Sequence, residues 1–143
     1  MRKSMNVSPQ LLQFAGSLVA ILALAGIARA LKLGGEPKLL QDDDVRRAAG
    51  EAVEGFRPVA ISRDREGRGA ILRDAAGRVL VLKPHGNFFA GRLLAATARA
   101  RLNSPTALEI DSGERRYGKV SLDIDDAAAW AEVVNALGST RHA

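Results

Sequence analysis

The sequence predicts an α+β protein. An N-terminal transmembrane helix comes first, then a short helix, then an antiparallel β-meander closed by a C-terminal helix. Three observations predict this order. Residues 5–28 carry no charged side chain, and a helix rising about 1.5 Å per residue needs about 20 apolar residues to cross roughly 30 Å of hydrocarbon. From Phe56 onward, short apolar runs alternate with turn signals about every ten residues, the rhythm of hairpins. Finally, Asp125-Asp126 precede a stretch in which Trp130, Val133, Val134 and Leu137 fall on one helical face, ended by Gly138.

Length and charge bound the rest. The chain has 143 residues, and removing the apolar segment and its tail leaves about 105, enough for one core and not two. There is no cysteine, which excludes disulfides, thiol catalysis and thiolate metal sites. Aromatic residues are 4% of the chain, too few for the stacking platforms that hold single-stranded nucleic acid, so no nucleic-acid partner is expected. The net charge of +5 is unevenly placed: residues 57–101 hold ten basic and three acidic side chains, residues 102–143 hold four and seven. Arginine outnumbers lysine, and alanine and glycine are abundant, a bacterial bias.

The membrane segment is read as Leu11 to Leu33, after a tail at residues 1–10. Arg29 and Lys32 close it with charges that are costly at the bilayer centre. A cleaved signal peptide would use Arg2 and Lys3 as its basic end and Ala28-Arg29-Ala30 as its cut site, but the apolar run exceeds the usual length of roughly 7–15 residues. A buried core helix would show an apolar stripe, and this run is apolar all round. The expectation is a single-pass anchor in a bacterial inner membrane. Arg29, Lys32 and Lys38 outnumber Arg2 and Lys3, which puts the domain on the cytoplasmic side. Gln13, Gly16, Ser17, Ala20 and Ala23 recur at helical spacing as a small, polar stripe. Such a face lets a second membrane helix approach closely, either a membrane protein partner or another copy of the chain.

Residues 34–55 are read as a linker and short helix. Gly34-Gly35-Glu36-Pro37 stops the first helix, since proline cannot continue it. Asp42-Asp43-Asp44 then suit a helix start, with Val45, Ala48, Ala49, Ala52 and Val53 forming an apolar face that lies against the next domain. Three adjacent aspartates without further oxygen ligands at loop spacing do not make a cation site.

The β-rich domain is read as residues 56–138, followed by a tail at 139–143. Two turns repeat the form Asp-x-x-Gly-Arg, at Asp64–Arg68 and Asp74–Arg78, where aspartate accepts turn amides and glycine takes a positive φ. Pro84-His85-Gly86-Asn87 is a third turn. The expected strands are Pro58–Arg63, Gly69–Asp74, Arg78–Lys83, Phe88–Leu94, Thr97–Leu102, Ala107–Asp111 and Tyr117–Asp123. Seven short antiparallel strands and a closing helix, Trp130-Ala-Glu-Val-Val-Asn-Ala-Leu137, resemble the pleckstrin-homology superfold over residues 56–137. That resemblance implies a small barrel. It also implies anionic headgroup binding through basic residues of the first hairpin, here Arg63, Arg65 and Arg68, with Arg73 and Arg78 nearby. The chain further resembles small membrane-anchored bacterial proteins of unassigned function.

No catalytic constellation emerges. His85 has no partner at a spacing that would make it a base or a metal ligand. Gly67-Arg68-Gly69 lacks the third glycine and following helix of a dinucleotide loop. The expectation is therefore a non-enzymatic accessory or scaffold subunit of a membrane complex, with no catalytic residue, metal or cofactor. The alternative is a module that binds anionic lipid through its arginines.

Overall fold

The structure, a computed structural model, describes residues 8–31 and 37–139. It falls into two units, residues 1–35 and 36–143. Parts of the sequence-expected elements, the tail at 1–7, Lys32 to Glu36 and the end at 140–143, lie outside the described residues.

The first unit is one helix, α1 (Pro9–Ala30). Ser8 sits at its N-cap, where its Oγ accepts from the amide of Leu11 at 3.2 Å, and Pro9 opens the first turn without losing a bond. The helix starts two residues before the expected Leu11, because this cap was not anticipated. None of its side chains is buried, and Leu12, Phe14, Val19 and Leu24 are each more than three-fifths exposed. By length and composition it is able to span a membrane.

The second unit begins with α2 (Asp42–Ala52). The three aspartates form its first turn rather than preceding it, with Gln41 at the N-cap. Only Asp44 turns back on the backbone, its Oδ2 accepting from Leu40 N at 3.1 Å and Gln41 N at 3.0 Å. Four strands follow as an antiparallel meander: β1 (Pro58–Arg63), β2 (Ala70–Asp74), β3 (Val79–His85) and β4 (Phe88–Leu93). Three more form a second antiparallel sheet: β5 (Arg99–Leu102), β6 (Ala107–Asp111) and β7 (Lys119–Asp123). The chain ends in α3 (Ala127–Ala136), packed on β5 and β6. The fold class is thus α+β, but no ladder joins the two sheets among the described residues, so they do not close into a barrel.

The first sheet is covered on both faces, which is why β3 is apolar at four successive positions. Ile71, Val79 and Val81 face the second sheet and α3, joining Leu108, Ile110, Leu122, Trp130 and Val134 in one core. Ala70, Leu72, Leu80 and Leu82 face the other way, onto Leu39, Val45, Ala49 and Phe56. The domain thus has two cores where its length suggested one, because α2 with the flanking Leu39 and Phe56 covers the outer face of the first sheet. Full burial of each such aliphatic side chain contributes about 1.5–3 kcal/mol.

Both Asp-x-x-Gly-Arg segments form the turns their residues dictate. Gly67 and Gly77 have φ of +73° and +86°. Asp64 Oδ2 accepts from the amides of Glu66 (3.1 Å) and Arg68 (3.2 Å), and Asp74 Oδ1 from those of Ala76 (3.1 Å) and Arg78 (2.8 Å). The expected turn at Pro84–Asn87 is shorter: β3 runs through Pro84 and His85, leaving Gly86 and Asn87 as the turn. β2 has already ended at Ala70, opposite Leu82, so the missing proline N–H costs no ladder bond there. β5 starts at Arg99 instead of Thr97.

Candidate functional site

Helical geometry lines up Gln13, Gly16, Ser17, Ala20 and Ala23 along one side of α1. All five are exposed, and a side chain added at Gly16 would meet no atom within 4 Å. The stripe is an open, small-residue face.

The five arginines expected to form one basic patch do not come together. Arg63, Arg65 and Arg68 belong to the β1–β2 end of the first sheet, Arg73 and Arg78 to the β2–β3 end. Four of them are held by carboxylates. Arg63 Nε donates to Asp42 at 2.9 Å, and its Nη1 to Leu40 O at 2.7 Å, fastening the segment before α2 to β1. Arg65 bridges to Asp123 at 3.6 Å and also to Asp125. Arg68 pairs with Glu66 at 3.3 Å. Arg78 Nε donates to Asp74 Oδ2 at 2.6 Å and stacks its guanidinium 5.5 Å from the Phe56 ring centre. Burial alone would raise the Asp74 pKa, but the Arg78 guanidinium and the two turn amides outweigh it and hold the carboxyl below its ordinary value. Arg73 is exposed and has no partner among the described residues.

Spacing along the chain gave no sign of the Arg63 and Arg65 pairs, because their carboxylates come from distant segments, whereas Glu66 and Asp74 lie within four residues of Arg68 and Arg78. The same folding leaves positive charge elsewhere. Arg115 and Arg116, in the β6–β7 loop, are exposed and without a partner among the described residues. Their neighbour Tyr117 is buried, and its hydroxyl is shared between Val81 O and Ala90 O, both at 2.9 Å. Burial drives the Tyr117 pKa up, so the phenol stays protonated and donating. Lys83 Nζ lies 4.4 Å from the Tyr117 ring centre and donates to Tyr117 O, while Arg92 lies 5.7 Å from the same ring and pairs with Glu114 at 2.9 Å. The sequence signal for this cluster was the Arg115-Arg116 pair itself, masked by the acidic balance of the surrounding residues 102–143.

Trp130, Ser62 and Asp126 form a second polar group. The indole Nε1 donates to Ser62 Oγ at 2.7 Å, and the Ser62 hydroxyl donates in turn to the Asp126 carboxylate at 2.7 Å. Asp126 stands at the N-cap of α3 as expected, yet its carboxylate is turned to Ser62 and Trp130 and not to the helix amides. This joins β1 to α3, with the Ser62 hydroxyl committed to both Trp130 and Asp126.

His85 packs edge-on against Phe88 at 5.4 Å, and among the described residues no titratable group bonds to it. Among the described residues no cluster of His, Asp and Glu is arranged to hold a metal ion. A depression of about 750 Å³ opens where the C-terminal end of α3 meets Ala96 and Arg99. Its one charged group, Arg99, donates through Nη1 to Ala96 O and Ala98 O at 2.9 and 2.8 Å. No protein-family model, curated protein or solved structure matches the chain.

Proposed function

We propose that the protein is a non-enzymatic, single-pass membrane subunit, in which α1 docks on a membrane protein partner and carries a small binding domain. The observation that carries this reading is α1 itself. Its 22 residues are apolar on every side, none is buried, and one side is built from small residues and Gln13. Small side chains permit close helix approach, and a glutamine amide in hydrocarbon gains from a hydrogen-bonding partner. A bacterial inner membrane with the domain on the cytoplasmic side is the placement that the basic residues after α1 favour. Seven antiparallel strands followed by one helix support the resemblance to the pleckstrin-homology superfold, although the sheets stay separate.

Purification of the full chain in mild detergent tests the proposal. A stoichiometric membrane partner, or a defined oligomer of the chain, is the expected result, with the complex lost on Gly16→Leu or Ala20→Leu. A monomer alone, before and after substitution, overturns it.

A further inference from the structure

We propose that the β3–β4 tip and the β6–β7 loop form one surface that lies on an anionic lipid bilayer. Strand register sets up the tip. Val81 pairs with Arg92, Lys83 with Ala90 and His85 with Phe88. Residues two apart share a face, so Lys83, His85, Phe88 and Arg92 all project on the side of Val81. Tyr117 packs on that same side through Val81 O and Ala90 O, and this lays the β6–β7 loop along the ribbon. In that loop Arg115 and Arg116 stand between Glu114, which pairs with Arg92, and Tyr117, whose carbonyl accepts from Lys83. Two carboxylates stand against these four cations: Glu114, engaged by Arg92, and Asp111, which accepts the amide of Gly113 at 2.9 Å.

About two strand residues beyond Lys83, roughly 7 Å, the ribbon ends in the Gly86-Asn87 turn. There Phe88 is 58% exposed, touching only the edge of the His85 ring among aromatic groups. An apolar ring on a projecting two-residue turn, backed by cations, matches the headgroup boundary: the ring enters the acyl margin while the cations meet phosphates. The cations complement the phosphates of an anionic bilayer, and the exposed ring beside them suits its acyl margin, which selects lipid as the occupant. The tip also borders a shallow cleft with Pro37 and Lys38. Residues 32–36 alone separate Pro37 from Leu31, a stretch of about 20 Å when fully extended. The proposal rests on α1 being lipid-embedded, since that tether keeps the domain at the membrane surface.

The chain has no cysteine, so Asn87→Cys provides a single site for an environment-sensitive fluorophore. The labelled full chain is reconstituted into nanodiscs of phosphatidylcholine alone or with phosphatidylglycerol. Recovery of the chain in discs reports the anchor separately from the surface. The expected result is a blue shift confined to the anionic discs and reversed by salt. Arg115→Glu with Arg116→Glu abolishes it, each lost cation weakening the contact about fivefold. Arg73→Glu, equally exposed and unpartnered but at the other end of the sheet, preserves it. Emission indifferent to lipid charge, or lost equally with Arg73→Glu, overturns the proposal. A shift that follows protein density in the disc and not lipid charge assigns the surface to a second copy and also overturns it.

Discussion

The side-chain amide of Asn135 pairs with the backbone of Ala100 as a neighbouring strand would. Its Nδ2 donates to Ala100 O and its Oδ1 accepts from Ala100 N, both at 2.9 Å. β5 is an edge strand, and an edge with free amides and carbonyls is a template for pairing with another chain. α3 thus closes that edge with one residue. β7, the other edge of the same sheet, is treated similarly: Asp64 Oδ1 accepts from Asp123 N at 2.7 Å and Arg65 N donates to Asp123 O at 3.0 Å. β1 is broken by a bulge at Val59. Asn135→Leu is expected to destabilise the protein by about 1–3 kcal/mol, since two backbone groups lose their partner. It also exposes the β5 edge. Denaturant midpoints measure the first effect, and concentration-dependent association in sedimentation the second. Unchanged stability with no self-association would show that the amide pairing contributes nothing.

Gly67 and Gly77 occupy the same position in two copies of one turn, yet they are expected to differ under substitution. Both need a positive φ, which costs an L-residue about 1–2 kcal/mol. A side chain at Gly77 would meet open space, whereas at Gly67 it would stand 2.9 Å from Leu39 O and 3.1 Å from Leu39 N. That contact is backbone, and Leu39 is itself held by its amide donating to Gly67 O at 2.8 Å. Gly77→Ala should therefore cost about 1 kcal/mol, from backbone conformation alone. Gly67→Ala should cost more, displacing Leu39 from the α2-side core and speeding amide exchange at Leu39. Equal losses for the two variants would refute the close-approach argument.

Asp74 predicts an acid-sensitive contribution to stability. Its folded-state pKa is depressed below the ordinary 3.8, so the unfolded chain binds the proton more readily. The stabilisation is complete well above 3.8 and disappears as pH falls from there through the lower folded value. Asp74→Asn should narrow its deficit relative to the native chain over that interval. Unfolding measured at a series of acid pH values checks the sign: a deficit that widens on acidification contradicts it.

Local chemistry was legible in the chain, and through-space chemistry was not. Asp64 with Gly67, and Asp74 with Gly77, complete their turns within a few residues, so residue types alone located both hairpins. The apolar run of β3 was read as a strand, but its burial on both faces, with α2 on one side, emerged only from the fold. The arginines were misleading for the same reason. Arg63 finds Asp42 across 21 positions and Arg65 finds Asp125 across 60, so counting charge along a segment overstates what remains free. Arg115 and Arg116 were obscured in reverse, because Glu114 beside them binds Arg92, and Asp123 and Asp125 farther on bind Arg65.

Trp130 is the one tryptophan, so it reports on the joint between β1 and α3 without ambiguity. Its indole N–H reaches Ser62 Oγ at 2.7 Å and, more weakly, Asp126 at 3.1 Å. Ser62→Ala removes the nearer acceptor and the hydroxyl that stabilises the Asp126 carboxylate, and is expected to cost about 1–2 kcal/mol. Asp126→Asn keeps an acceptor within reach and should cost less. In both variants the single indole N–H resonance should move upfield and exchange faster with solvent, by more in Ser62→Ala. An unmoved resonance in Ser62→Ala would mean that the tryptophan is held by apolar packing alone, through Ile71, Leu108 and the other side chains of the shared core.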